Sequence, residues 1–133
     1  MESTIPIMGK WIGLPFTWGG CSSSGVDCVG LVRLYLREEL GVDLPPDDGP
    51  HDPESWIEDS QPRMISYLGA HGQLVESPGH GDVVVIHYRF GAAHAGVMVD
   101  KQRILHIIPG QASYIGWLSC YGAHRIVGFW RVI

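Results

Sequence analysis

Basic residues are scarce in this chain: nine lysines and arginines stand against fourteen acids, a net charge of −5. No basic stripe exists to neutralise phosphates, which argues against a nucleic-acid or anionic-membrane partner. Long apolar runs are also missing, and nothing approaches the roughly 18 residues that a membrane-spanning helix needs. Cysteine is sparse and odd in number, three in 133 residues, so no disulfide scaffold is expected, and Cys21 and Cys120 read as free thiols. The first ten residues, Met1 to Lys10, begin acidic and are broken by Pro6, unlike an export signal. The product is therefore expected first in the cytoplasm. There is no internal repeat. What remains, 45% hydrophobic, suffices for one core, and a single domain over 1–133 is expected.

The third cysteine stands out by its position. Cys28, Val32, Tyr35 and Leu36 share one stripe, with Leu31 beside them and Arg33, Arg37, Glu38 and Glu39 mostly elsewhere. This periodicity predicts a helix from Cys28 to Leu40, ended by Gly41. The preceding Gly19-Gly20-Cys21-Ser22-Ser23-Ser24-Gly25 has no periodicity and can turn sharply, and Asp27 is placed to cap the first turn. A thiol at a helix start near a protonated imidazole is activated, its pKa falling from about 8.5 into the range of roughly 3.5 to 7.5. The competing reading is a core cysteine packing as a small hydrophobe on the apolar stripe.

Two histidines bear on that choice. His94 opens Ala95-Gly96-Val97-Met98-Val99, a polar stretch Asp100 to Arg103 follows, and Ile104-Leu105-His106-Ile107-Ile108 completes a hairpin pattern. A turn of odd length centred near Asp100 would set His94 opposite His106 on one face, with Cβ atoms roughly 5 Å apart. One imidazole would then serve as base for Cys28 while the other holds its far nitrogen. Residues 42–55, dense in Pro and Asp, read as a surface loop, and a shorter helix is expected from Pro62 to Gly72. Strands are expected near 73–76, 82–87, 95–99, 104–107, 113–115 and 125–132. Helices followed by a run of strands indicate an α+β domain with an antiparallel sheet.

The motifs Pro15-Phe16-Thr17-Trp18-Gly19-Gly20, Gly25-Val26-Asp27-Cys28-Val29-Gly30-Leu31-Val32, Gly81-Asp82-Val83-Val84, His94-Ala95-Gly96-Val97 and His106 resemble, in order and spacing, those of the NlpC-like cell-wall cysteine peptidases. The resemblance spans roughly residues 11–108. It implies a minimal papain-like fold, with N-terminal helices, among them the helix carrying the cysteine, packed on an antiparallel β-sheet that carries the histidine. It implies a hydrolase that cuts peptidoglycan stem peptides, usually at the D-glutamyl to diamino-acid bond, with no cofactor and no metal. Cys28 becomes the nucleophile, His94 the general base and His106 its orienting partner. Asp27, Phe16 and Trp18 fall at the substrate site, Asp27 either as a ligand for the amino group of a stem peptide's first alanine or only as the helix cap. Two departures bear on substrate: Phe16 stands where the family commonly has tyrosine, and Val29 where it has a small hydroxyl residue. Small domains of this family resemble bacteriophage tail peptidases. A wall hydrolase without an export signal therefore suggests a virus-encoded protein made in the host cytoplasm, carried in the virion, with phage tail proteins as partners.

The remaining candidates are weaker. His51, His71, His80, His87 and His124 lack partners at ligand spacing, and His51 with Asp52 reads as solvated loop. A zinc site using Cys21 and Cys28 is rejected, because seven residues exceed the usual spacing of paired ligands. Trp117, Phe129 and Trp130 read as core or a partner surface. Three functions stay open: a peptidoglycan endopeptidase, a structural tail component that keeps the fold, and a thiol amidase or acyltransferase, since cysteine and histidine specify acyl transfer without specifying the donor.

Overall fold

The computed structural model describes residues 9–47, 49 and 51–133. The reading of residues 1–8, and of Asp48 and Pro50 within the 42–55 loop, lies outside the described residues.

The first helix forms where the periodicity placed it. α1 (Cys28–Leu40) starts at Asp27, whose Oδ1 accepts the Gly30 N–H at 2.7 Å, and stops at Gly41, with φ of 67°. There the Gly41 and Val42 N–H groups return to the carbonyls of Arg37 and Leu36, a closure that favours glycine because a Cβ is strained at positive φ. Leu31, Val32, Leu34, Tyr35 and Leu36 are buried. Truncating Leu31 or Leu36 to alanine would open a core cavity costing about 2–5 kcal/mol. Ahead of α1, β1 (Cys21–Ser22) and β2 (Gly25–Val26) pair as a two-rung antiparallel hairpin.

The second helix is longer than expected. α2 runs Pro53–His71, capped by Asp52 Oδ1 accepting the Ser55 N–H at 2.8 Å, with Pro53 in the first turn. That start leaves Pro62 inside the helix, not at its beginning, and shortens the 42–55 loop. A proline at that position interrupts the backbone ladder. Residues 91–93 meet the helix at this point: Gln61 donates its N–H to the Gly91 carbonyl at 3.0 Å, and Ser60 Oγ accepts the Ala93 N–H at 2.9 Å.

Six strands follow: β3 (Gln73–Val75), β4 (Val83–Arg89), β5 (Ala92–Met98), β6 (Arg103–His106), β7 (Tyr114–Trp117) and β8 (Ile126–Arg131). They form one antiparallel sheet in the order β3-β8-β4-β5-β6-β7, and the protein is of the α+β class. Strand alternation divides β4 and β5 into two apolar faces. Val83, Val85, Ala93, Ala95 and Val97 pack with the residues of α1, including Cys28 and Val29. Val84, Ile86, Met98 and Ile104 form a second cluster joined by Tyr121, Ile126 and Phe129. Burial on both faces explains the unbroken apolar run from Val83 to Ile86. Asp82, fully buried before β4, accepts both Nε and Nη2 of Arg131, at 3.0 and 2.7 Å, and so ties β8 to the base of β4.

The β5–β6 turn corrects one expectation. Met98 pairs with Ile104, Val97 with Leu105, and Gly96 with His106, so the turn is centred at Lys101, not Asp100. The cause is local: Asp100 Oδ1 accepts the N–H groups of Gln102 and Arg103 at 2.8 Å each, making the aspartate the first turn residue and not the middle one. His94 and His106 keep a common face but stand diagonally.

Candidate active site

The β1–β2 hairpin and the cap of α1 deliver Cys28. A side chain on Gly30 would bring its Cβ within 1.8 Å of the Gly20 carbonyl oxygen, so glycine inside this helix lets the loop lie directly on it. Asp27 is doubly held, with Oδ2 accepting the Gly19 N–H at 2.8 Å beside the Oδ1 cap. The capping role expected for it is therefore met, and Oδ2 also faces His51.

Cys28 is 8% exposed. Burial pushes its thiol up to about 12, the charge of Asp27 adds to the rise, and the opposing N–H groups of Ala95 and Val29 do not compensate. The activation expected from the helix start is thus reversed: desolvation and a neighbouring carboxylate outweigh the helix end. Cys28 thus belongs to the apolar core and also lines a cleft.

His94 and His106 come together on the other element. His94 Nε2 lies 3.1 Å from His106 Nδ1, and the rings stack at 21°. Their exposures are 2% and 1%. Burial holds His94 down to about 3, helped by the positive charges of His106 and Arg125, and burial alone holds His106 down to about 4. Both rings are neutral at physiological pH. His94 Nδ1 and His106 Nε2 are buried without a polar partner. Among the described residues no hydrogen bond joins Cys28 to His94, although Ala95, the next residue, presents its N–H to the thiol.

Phe16, Trp18, Asp27 and Cys28 line one cleft with His51 and Trp56; neither His94 nor His106 lines it. Phe16 and Trp18 meet edge to face at 4.8 Å, and Trp18 continues to Trp56 at 6.3 Å. Trp56 is fixed by its indole N–H donating to the Ala93 carbonyl at 2.7 Å. His51 is not simply solvated loop: its Nδ1 is 3.5 Å from Asp27 Oδ2 and its Nε2 3.1 Å from Asp47 Oδ1. Sequence reasoning missed His51, Asp47 and Trp56. The spacing of four between Asp47 and His51 was the only local hint, and Asp27 joins them through the fold. Among the described residues, no group of three His, Cys, Asp or Glu side chains is arranged to hold a metal ion. No helix of the described residues is long and apolar enough to cross a membrane.

A buried thiol beside a strand that carries an imidazole with one free nitrogen is equipment for acyl transfer. Comparison with known proteins agrees. The model of the NlpC/P60 family matches residues 13–129. A Mycobacterium tuberculosis protein named "Probable endopeptidase" is 28% identical over 95 residues, covering 71% of this chain and 20% of that protein. A Bacillus subtilis protein named "Probable peptidoglycan endopeptidase LytE" is 24% identical over 96 residues, covering 71% and 23%. The chain thus spans about a fifth of the length of these curated relatives. The crystal structure of the NlpC/p60 domain of peptidoglycan hydrolase SagA superposes with a TM-score of 0.60 at 19% identity, covering 96% of this chain and 94% of that one, a likeness of fold.

Proposed function

The chain belongs to the NlpC/P60 family, and we propose on that premise that it is a cysteine peptidase hydrolysing an amide bond in peptidoglycan stem peptides. Cys28 attacks the carbonyl, His94 takes the thiol proton at Nδ1 and passes it to the leaving amine, and His106 holds His94 through Nε2. One observation carries this reading: the 3.1 Å contact between the two rings leaves His94 Nδ1 buried and unpartnered. Neutral thiol and neutral imidazoles favour a route in which the proton leaves sulfur as the sulfur–carbon bond forms, over a standing thiolate–imidazolium pair. Hydrogen bonds of free active sites often tighten only with substrate. The proposal accordingly includes an approach of His94 Nδ1 to the Cys28 sulfur on binding.

Asp27 and Asp47 give the cleft an acidic end suited to the ammonium group of a stem peptide's first alanine, which supports the D-glutamyl to diamino-acid bond as the one cut. A net charge of −5 provides no attraction to an anionic wall, which supports delivery by a larger assembly. We place that assembly at a phage tail tip, reached after synthesis in the host cytoplasm, where a tether supplies local concentrations of about the millimolar range. The raised thiol and Phe16 favour a second reading, a tail component that keeps the fold with weak activity.

The test is a set of synthetic stem peptides, with free and acetylated amino ends, incubated with the protein under reducing conditions. Cleavage by the native chain and none by Cys28→Ala is expected. Intact peptides would leave the structural reading. Turnover of a different amide or ester alone would leave the amidase or acyltransferase reading.

A further inference from the structure

Beside the cleft lies a larger space. The cleft at Cys28 encloses about 30 Å³, whereas the groove next to it encloses about 860 Å³, within the roughly 300–1,000 Å³ of small-molecule sites. Asp47 and Arg63 line both, so the two are continuous. We propose that this groove binds the muramyl sugar of a stem peptide still attached to its glycan. The inference rests on the peptidase reading and deepens it, from a peptide to a glycopeptide substrate.

The groove is preformed. One wall is a face of α2, where Arg63, Ser66, Tyr67, Ala70 and His71 recur at spacings of three and four. The other is the segment around Pro45 and Gly49. The Tyr67 hydroxyl donates to the Pro45 carbonyl, which ties one wall to the other, and Arg33 Nε donates to the Leu44 carbonyl at 3.1 Å. A Cβ at position 49 would fall 1.5 Å from Arg63 Nη1, so glycine there lets the loop rest on the guanidinium.

Chemistry and direction both select a sugar. Tyr67 and His71 meet edge to face at 5.1 Å, and such rings take the C–H face of a pyranose while its hydroxyls reach polar neighbours. Arg63 stands between Asp59, at 3.0 Å, and Asp47, at 3.9 Å, so the wall offers donors and acceptors whose charges are largely matched. That suits neutral hydroxyl and acetamide groups, whereas a phosphate would meet the two carboxylates. Direction follows from Asp47. The acidic end of the cleft receives the nitrogen of the first alanine, an ammonium in a free stem peptide and an amide N–H in an attached one, and a carboxylate accepts from either. In the attached peptide that nitrogen carries the lactyl arm of the sugar, which therefore continues past Asp47 into the groove.

The test compares a disaccharide-linked stem peptide with the same peptide carrying an N-acetyl group in place of the sugar. The native chain should cut the linked substrate with a kcat/KM roughly three- to tenfold higher, the scale of an aromatic contact, mainly through a lower KM. Ala70→Arg sends a long side chain into the groove from an exposed position of α2. It should remove that advantage and leave turnover of the N-acetyl peptide unchanged. Equal kcat/KM for the two substrates with the native chain, or an advantage that survives Ala70→Arg, would overturn the inference. An NMR titration of the Cys28→Ala chain with each substrate reads the site without turnover. The Ser66, Ala70 and His71 signals should move with the linked substrate only. Movement with both would make the groove a peptide subsite, and movement with neither would leave it unused; either contradicts the proposal. A linked substrate that shifts these signals but is not cut by the native chain would keep the sugar site and count against the peptidase reading.

Discussion

His94 reaches His106 diagonally across the β5–β6 ladder, Nε2 to Nδ1 at 3.1 Å, because Gly96 and not His94 is the residue directly opposite His106. A diagonal neighbour lies farther off than a direct one, at about 7–8 Å between backbones, and the two ring lengths close that gap. Gly96 contributes no side chain to this face.

The geometry predicts unequal roles for the two rings. His94→Ala should lower the rate by about 10² to 10⁴, the usual size of a general-base contribution. His106→Ala should cost less, and His106→Gln less again, because an amide oxygen can still accept from His94 Nε2. Initial rates on a stem peptide check the order; equal losses for all three variants would contradict it.

Acid stability should report the same pair. Both rings have native values near 3 and 4, below the unfolded value of about 6.5. Above pH 6.5 both states are neutral and the rings do not affect the balance. As the pH falls below 6.5, the unfolded chain binds protons that the folded rings refuse, so stability declines towards pH 4. The decline should amount to about 2 kcal/mol per ring, about 4 kcal/mol for the pair, by pH 5. Thermal melts between pH 7 and 4.5 should be visibly less steep in pH for a doubly substituted His94→Gln, His106→Gln chain than for the native one.

Cys28 should be slow to alkylate at neutral pH, since its thiol is pushed up to about 12 by burial and then by Asp27. Asp27→Asn keeps one capping oxygen and removes the charge, so the pH midpoint of alkylation should move down. Peptide-resolved mass spectrometry separates Cys28 from the half-buried Cys21 and exposed Cys120. An unchanged midpoint would show that Asp27 does not act on the thiol.

His51 stands between Asp27 and Asp47, where its ring occupies the carboxylates that an incoming ammonium would need. His51→Gln should therefore lower KM for stem peptides with a free amino end and leave N-acetylated ones unchanged. Equal KM changes for both would place the effect elsewhere.

Much of this site was legible in the sequence for a physical reason: the cap, the apolar stripe and the alternation of strands are local, and Cys28, His94 and His106 sit on those local patterns. The strands fall within a few residues of their expected bounds. What could not be read depends on side chains far apart in sequence. Asp100 moved the turn by one residue through its bonds to Gln102 and Arg103. Pro62 reads as a helix start until the Gly91 carbonyl is there to take the Gln61 N–H. The thiol pKa follows burial under the sheet, which position at a helix start does not reveal. His51 gains its significance only once Asp27, 24 positions away, is beside it.

The central claim is that Cys28 cuts stem peptides, and its most direct test is mass analysis of purified peptidoglycan digested by the native chain and by Cys28→Ala under reducing conditions. The account predicts new fragments split at one stem-peptide amide with the native chain and none with the variant. Undigested peptidoglycan from both, or the same fragments from both, would contradict it.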